Sequence, residues 1–370
     1  MWLRALSTAA LAVFPALALT ALPTHSADVT AHRPADRGWV LELTQHFGQP
    51  GNASGYSTIL LTRGHLWVFG GTNPGGQSSP VIADLVGRRW LTAPLPNGLS
   101  SFISDASAPG PGDIWAISSY GRYVLHWDGS RWRLVKLWRR VGTFSDIVAT
   151  SPRSAWVFGT SAYGYGSLGT WRYDGGHWRR ILGSASRIYR ASALSGRDMW
   201  AIEADQHSDS ILRFDGRRWT RERVGRAISV IRWNDILAES ARNVWLAGNE
   251  TASEHFRLVL AHWNGERWTM IVTRMSALAG QLASADAGRV LLTATSSALL
   301  PTGLIVLVTD AGRVTSFAIG SSFGDGISDA VFDSSSDAIW ASGGTLTRLG
   351  GNAAVWERTL AVTRGADDVS

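Results

Sequence analysis

Residues Ser195–Trp219 read S-G-R-D-M-W-A-I-E-A-D-Q-H-S-D-S-I-L-R-F-D-G-R-R-W. The stretch breaks into a turn, a strand centred on Trp200, a variable loop, a strand ending at Asp215-Gly216, and a strand opening with Trp219. Asp-Gly between two apolar runs is a strong short hairpin signal. Ser at the start of S-G-R-D and Asp at its end suit a tight, self-bonded turn.

Relatives of this stretch recur along the chain and can be phased on two tryptophans. The first follows a turn: Trp67, Trp115, Trp156, Trp200, Trp245 and Trp340, with Leu291 filling the place in one further unit. The spacings are 48, 41, 44, 45, 46 and 49 residues. The second opens the last strand of each unit: Trp90, Trp132, Trp178, Trp219, Trp268 and Trp356, with Val314 in the Leu291 unit. Hairpin signals precede four of these, at Asp128, Asp174, Asp215 and Asn264, each followed by Gly. Seven units of four short strands, at a period of 40–50 residues, predict the blades of a β-propeller. Runs such as V-W-L-A-G do not alternate apolar with polar, as expected where neighbouring blades cover both faces.

Composition agrees. The 370 residues include 19 Trp and 40 Gly, and 45% are hydrophobic, which favours strands and turns over helices. There is no Cys, so neither disulfides nor thiol chemistry enter. The formal charge is +6, and Lys136 is the one lysine, so Arg carries nearly all the positive charge.

The ends read differently from the middle. Arg4, the mostly apolar run Ala5–Leu22 and the small residues before Asp28 predict a Sec-type signal peptide over residues 1–27. Residues 28–37 are expected to be a linker, 38–362 the propeller and 363–370 a disordered tail. Counting Trp39 gives eight unit-ending positions for seven openings. Its strand, Gly38–Leu43, is therefore an extra N-terminal strand near the ring closure, expected to pair outside the strand of Trp356 as a clasp, with replacement of the C-terminal strand as the alternative.

The phrases D-I-W-A-I and V-L-H-W-D-G-S-R-W (Asp113–Ile117, Val124–Trp132) resemble the Trp-rich propeller repeats of exported and sensory bacterial proteins. The resemblance spans Trp39 to Leu360 and implies an all-β, seven-bladed propeller of four-stranded antiparallel blades. L-W-V-F-G-G (Leu66–Gly71) is similar to a kelch blade, but most units lack the double Gly. D-G-x-x-W is similar to an Asp-box one residue short. Propellers serve enzymes, lectins, sensors and scaffolds alike, so function must be argued from a site.

The strongest site candidate is a ring. The position about ten residues before each unit opening holds Ser57, Asp105, Asp146, Arg190, Asp235, Gln281 and Asp329. This is the start of the innermost strand, at one mouth of a central channel. Converging carboxylates there could bind a polar ligand and shift one another's pKa values. The reading favoured over this is that each Asp side chain accepts backbone N–H bonds in a turn or between blades. Arg190 breaks the pattern and stands out for that reason.

A second candidate is a basic stretch. Residues 131–232 hold 19 Arg/Lys against 8 Asp/Glu, concentrated in R-W-R-L-V-K-L-W-R-R (131–140) and R-R-W-T-R-E-R-V-G-R (217–226). It reads either as an anion-binding surface or as a solvated rim with Arg stems over Trp. Trp138 and Trp233 lie outside the phased positions and are the sugar-stacking candidates. The nine His show no H-x-x-x-H or H-E-x-x-H spacing, so no metal site is expected, and no cofactor. Ser322, in G-S-S-F-G, lacks the strand and helix of a nucleophile elbow.

The expectation is a secreted, monomeric, non-catalytic binding module. Its partner would be a cell-surface polysaccharide or protein, with no nucleic acid and no membrane anchor after cleavage. The competing reading is a carbohydrate-active hydrolase or lyase working at the channel mouth.

Overall fold

The computed structural model describes residues 34–35, 38–45, 54–73, 77–140, 142–159, 166–181, 187–204, 209–224, 231–250, 256–286, 288–297, 302–319, 326–347 and 350–360. The expected signal peptide, most of the linker, the tail and Ser322 lie outside these residues.

Among the described residues every regular element is a β-strand. Four sheets have four antiparallel strands each in chain order, one has five, and one has seven. The second unit is typical: Asp105–Gly110, Asp113–Ser118, Tyr123–Trp127 and Trp132–Leu137. Burial peaks at the second strand and falls outward from it. The second strand, D-I-W-A-I-S, is buried at every position, whereas the fourth is mostly open. The seven-stranded sheet is two such units sharing one long strand, Trp268–Ser284. Its first part pairs back to Arg257–Trp263 and its second part pairs forward to Arg289–Ser296.

Turn chemistry explains the hairpins. Asp128, Asp174, Asp215 and Asn264 each accept two backbone N–H bonds through Oδ1, while the following Gly takes a φ near +90°. Three of those glycines are also held free of a side chain from outside, Gly175 by Arg153, with a Cβ there 3.0 Å from Arg153 Cβ. A Cβ at Gly216 would lie 3.0 Å from Arg197 Cβ, and one at Gly265 would lie 2.6 Å from Arg242 Cγ. In these three units the arginine of the first turn thus packs on the glycine of the second.

The two tryptophan positions meet across units. Trp67 packs edge-on against Trp132 at 6.0 Å, Trp115 against Trp178 at 6.2 Å, Trp156 against Trp219 at 6.4 Å and Trp200 against Trp268 at 5.8 Å. In each pair the first Trp of one unit touches the second Trp of the next. Such pairs add roughly 0.5–1.5 kcal/mol beyond the area they bury. The period seen in the sequence is therefore the trace of a contact between units.

That rule corrects two expectations. Trp356 was assigned to a last strand, but its strand, Gly350–Thr359, is the third of its sheet, whose order from outside is Pro34–Ala35, Trp39–Gln45, Gly350–Thr359, Ala338–Thr347, Gly326–Asp333. Trp39–Gln45 does pair outside the strand of Trp356, yet it is the fourth strand of that blade. Trp39 shares a buried cluster with Leu291, the opening position of the preceding unit. That is the place every second Trp takes. The strand beyond the usual four is the two-residue Pro34–Ala35.

Each innermost strand packs on the innermost strand of the next unit, and Gly326–Asp333 of the last unit packs on Ser54–Thr62 of the first. The ring positions sit at these contacts.

Candidate functional site

Every ring carboxylate reaches into the following unit. Asp105 accepts from the Ile147 N–H at 3.0 Å, Asp146 from Ala191 at 2.5 Å, and Asp235 from Leu282 at 2.6 Å. Asp329 accepts from the Ile59 N–H at 3.0 Å and the Thr58 hydroxyl at 2.6 Å, tying the last unit to the first. Second latches run alongside: Ser107 accepts from Ala149, and Ser192 from Ala238. A charge-assisted acceptor for a buried N–H is worth roughly 1.5–3 kcal/mol net.

Local backbone geometry aims these side chains. A register shift immediately precedes Arg190, Asp235 and Asp329 in their strands. Bulges of this kind turn a side chain out of the ladder. The same irregularity falls between Tyr56 and Thr58, so Thr58, not Ser57, faces the equivalent partner two residues past the first Trp. Ser57 instead donates its hydroxyl to the Ile103 carbonyl of the next unit. Gln281 is half-buried, and its backbone N–H bonds Thr293 Oγ1 at 2.8 Å.

Arg190 is the hub. Its guanidinium lies 3.7 Å from Asp146, 3.9 Å from Asp105 and 3.9 Å from Asp235, and it donates to the Ser145 carbonyl at 3.2 Å. Burial works against its charge, but Asp146, Asp235, Asp105 and Asp329 outweigh burial and raise its pKa above the ordinary value. One cation cannot balance four carboxylates. Burial, then the neighbouring Asp105, push Asp146 well above the usual carboxylate range. Burial raises Asp235 to about 6 in spite of Arg190, and raises Asp329 to about 6 in spite of the Thr58 bond. Among the described residues no group of three or more His, Asp or Glu is placed to hold a metal ion. Chemically these ring residues are a set of interlocked acceptors around one guanidinium.

The sugar-stacking candidates are both interior. Trp138 is 5% exposed and packs edge-on against Phe144, Trp171 and Trp178. Trp233 is 6% exposed, and its backbone N–H donates to Asp209. Neither presents an open ring face.

The two basic stretches part company. Around 217–226 two of the cations are paired, Arg218 with Asp215 and Arg221 with Glu203; Arg187 also reaches Glu203, and just upstream Arg213 pairs with Asp198 while stacking on Trp200. Around 131–140, Arg133 pairs with Asp128, but Lys136, Arg139 and Arg140 face a cleft of about 510 Å3 whose walls also include Leu168, Trp171 and Arg180. Composition alone did not separate these stretches. The signal that could have done so is the scarcity of acidic residues near 131–140.

No family model matches the chain, and no curated protein matches it. Solved structures do. "YCF48 bound to D1 peptide" is 15% identical, with a TM-score of 0.57, covering 92% of this chain and 100% of that one. "Crystal structure of RRP9 WD40 repeats" is 11% identical, at 0.60, covering 90% and 100%. "Crystal structure of WD40 beta propeller domain of Doa1" is 8% identical, at 0.57, covering 86% and 97%. The fold is that of the β-propeller class. At these identities the likeness extends to the fold alone.

Proposed function

We propose that the chain is a seven-bladed β-propeller, closed by its N-terminal strand and the Asp329 latch, and that it is an exported, non-catalytic interaction module for a cell-surface protein or polysaccharide. The observation that carries this reading is the expenditure of the ring carboxylates on backbone N–H groups of neighbouring units. A catalytic acid or base must be free to exchange protons with a substrate. A propeller scaffold leaves loops and blade edges to display binding groups. One solved neighbour is described as holding a peptide, and others as WD40 domains, in keeping with a protein partner. The apolar run Ala5–Leu22 supports export.

The test is Asp146→Asn, compared with wild type in melting temperature and in retention on cell-envelope fractions. Retention with a lowered melting temperature is expected. Turnover of a cell-wall oligosaccharide by wild type, abolished in Asp146→Asn at an unchanged melting temperature, would replace this reading with the enzyme.

A further inference from the structure

The cleft beside Trp138 has a cavity, a uniform charge and a fixed frame. Lys136, Arg139, Arg140 and Arg180 all contribute to its walls. None of the four has a carboxylate partner among the described residues, although Arg133 and Arg179 close by do. Its volume of about 510 Å3 falls within the range of small-ligand pockets, roughly 300–1,000 Å3.

The backbone that carries Arg139 and Arg140 is held in place, and so are the side chains of Lys136 and Arg180. The Trp138 N–H donates to the Arg122 carbonyl at 2.9 Å, and Arg122 Nη1 donates back to the Arg140 carbonyl at 3.3 Å, which pins the segment between them. Lys136 Nζ lies 5.6 Å over the Trp138 ring. The Arg180 guanidinium rests against Gly169, whose missing side chain makes the room: a Cβ there would stand 3.3 Å from Arg180 Nε. Holding like charges together without counter-ions costs free energy, and a bound anion would recover it.

The walls also select among anions. The cleft's two tryptophans are packed on each other, with Trp138 buried beneath. Trp138 therefore offers a sugar ring no open face, which leaves the half-buried Trp171 as the aromatic surface on the cleft wall. Leu134 and Leu137, 42% and 52% exposed, lie on the adjoining outer strand and offer apolar contact. We infer that this cleft binds an acidic peptide segment, its carboxylates on Arg139, Arg140, Arg180 and Lys136 and its apolar side chains on Leu134 and Leu137. The inference rests on the interaction-module reading and names the partner's chemistry.

The experiment uses the full chain and a fluorescein-labelled octapeptide of six Glu and two Leu, followed by anisotropy at low and moderate salt. Arg139→Ala/Arg140→Ala/Arg180→Ala should weaken binding by roughly tenfold or more, from three lost ion pairs. Arg217→Ala/Arg223→Ala/Arg267→Ala removes the same charge elsewhere and should leave binding within about twofold. A Gln-for-Glu peptide should not bind. Equal losses in the two triple variants, no binding by wild type, or tighter binding of a sulfated oligosaccharide of equal charge would each overturn the cleft as a peptide site. Capture of the same cell-surface proteins by wild type and the cleft variant would also overturn it while leaving the module reading standing. Capture of none by either would count against the module itself.

Discussion

The carboxylate ring, expected from the sequence at a channel mouth, and the Trp138 cleft both gather charge, and they use it in opposite ways. At the mouth, Asp105, Asp146, Asp235 and Asp329 each hold a backbone N–H of the next unit, and Arg190 sits among them. In the cleft, Lys136, Arg139, Arg140 and Arg180 hold no carboxylate of the described residues. Density of charge therefore does not separate scaffold from site here; satisfaction does. Buried charge that is fully engaged reads as structure, and exposed charge that is fixed but unengaged reads as an invitation to a ligand.

The sharpest way to break that contrast is Arg190→Met. It leaves four nearly buried carboxylates around an apolar side chain, and breaking a buried ionic network by removing one partner costs roughly 3–5 kcal/mol. Urea denaturation at pH 7 should show a loss of that order, partly recovered near pH 5 as the carboxylates protonate. A wild-type midpoint would mean that the mouth is not held together as argued. A smaller effect is expected one step out. Asp105→Ala removes the acceptor of the Ile147 N–H and should cost roughly 1–3 kcal/mol. Asp105→Asn keeps an acceptor oxygen and should cost less. Faster hydrogen exchange at the Ile147 amide in the Ala variant alone would locate the loss at the latch.

The pH dependence should be gentler still. Burial raises the pKa of Asp235 and Asp329 to about 6. Their protonated forms are thus favoured by folding. The stability they contribute is fully present below the unfolded carboxylate pKa, roughly 4, and is lost as pH rises through about 6. The hairpin aspartates run the other way. Backbone N–H donors hold Asp174 and Asp215 below the usual range, and their contribution is lost only as pH falls below it. Stability should therefore rise between pH 7.5 and 5, by roughly 1 kcal/mol for each of Asp235 and Asp329, and fall again at stronger acid, with the melting temperature following both changes. A monotonic loss from pH 7.5 downward would show that the ring carboxylates are ionised without cost.

Much of the fold was legible because it is repetitive. Trp67, Trp115, Trp156, Trp200, Trp245 and Trp340 all fall on the second strands of their sheets, and the Asp-Gly and Asn-Gly turns are where they were expected. What failed was non-local. Trp356 looked like a last-strand residue because its neighbours read as a strand, while the true fourth strand, Trp39–Gln45, lies at the opposite end of the chain. No local turn signal can report such a pairing. Thr58 was missed by one residue because a register irregularity shifts the count. The ring positions were found by phase, but whether their carboxylates are free or spent depends on the neighbouring unit's N–H groups, which no spacing reveals.

The smallest expected effect is the most discriminating. If the cleft cations are unengaged, Arg139→Ala, Arg140→Ala and Arg180→Ala should each change stability by no more than about 0.5 kcal/mol, the ordinary range for exposed positions. Together they could even stabilise slightly, because they relieve mutual repulsion among fixed like charges. Moderate salt should then narrow the gap between wild type and the triple variant, since screening relieves the same repulsion. A triple variant that melts well below wild type would place these arginines in the same class as Arg190, as parts of the scaffold. The contrast between mouth and cleft would then be one of exposure alone, and the unpaired charges would need no ligand to explain them.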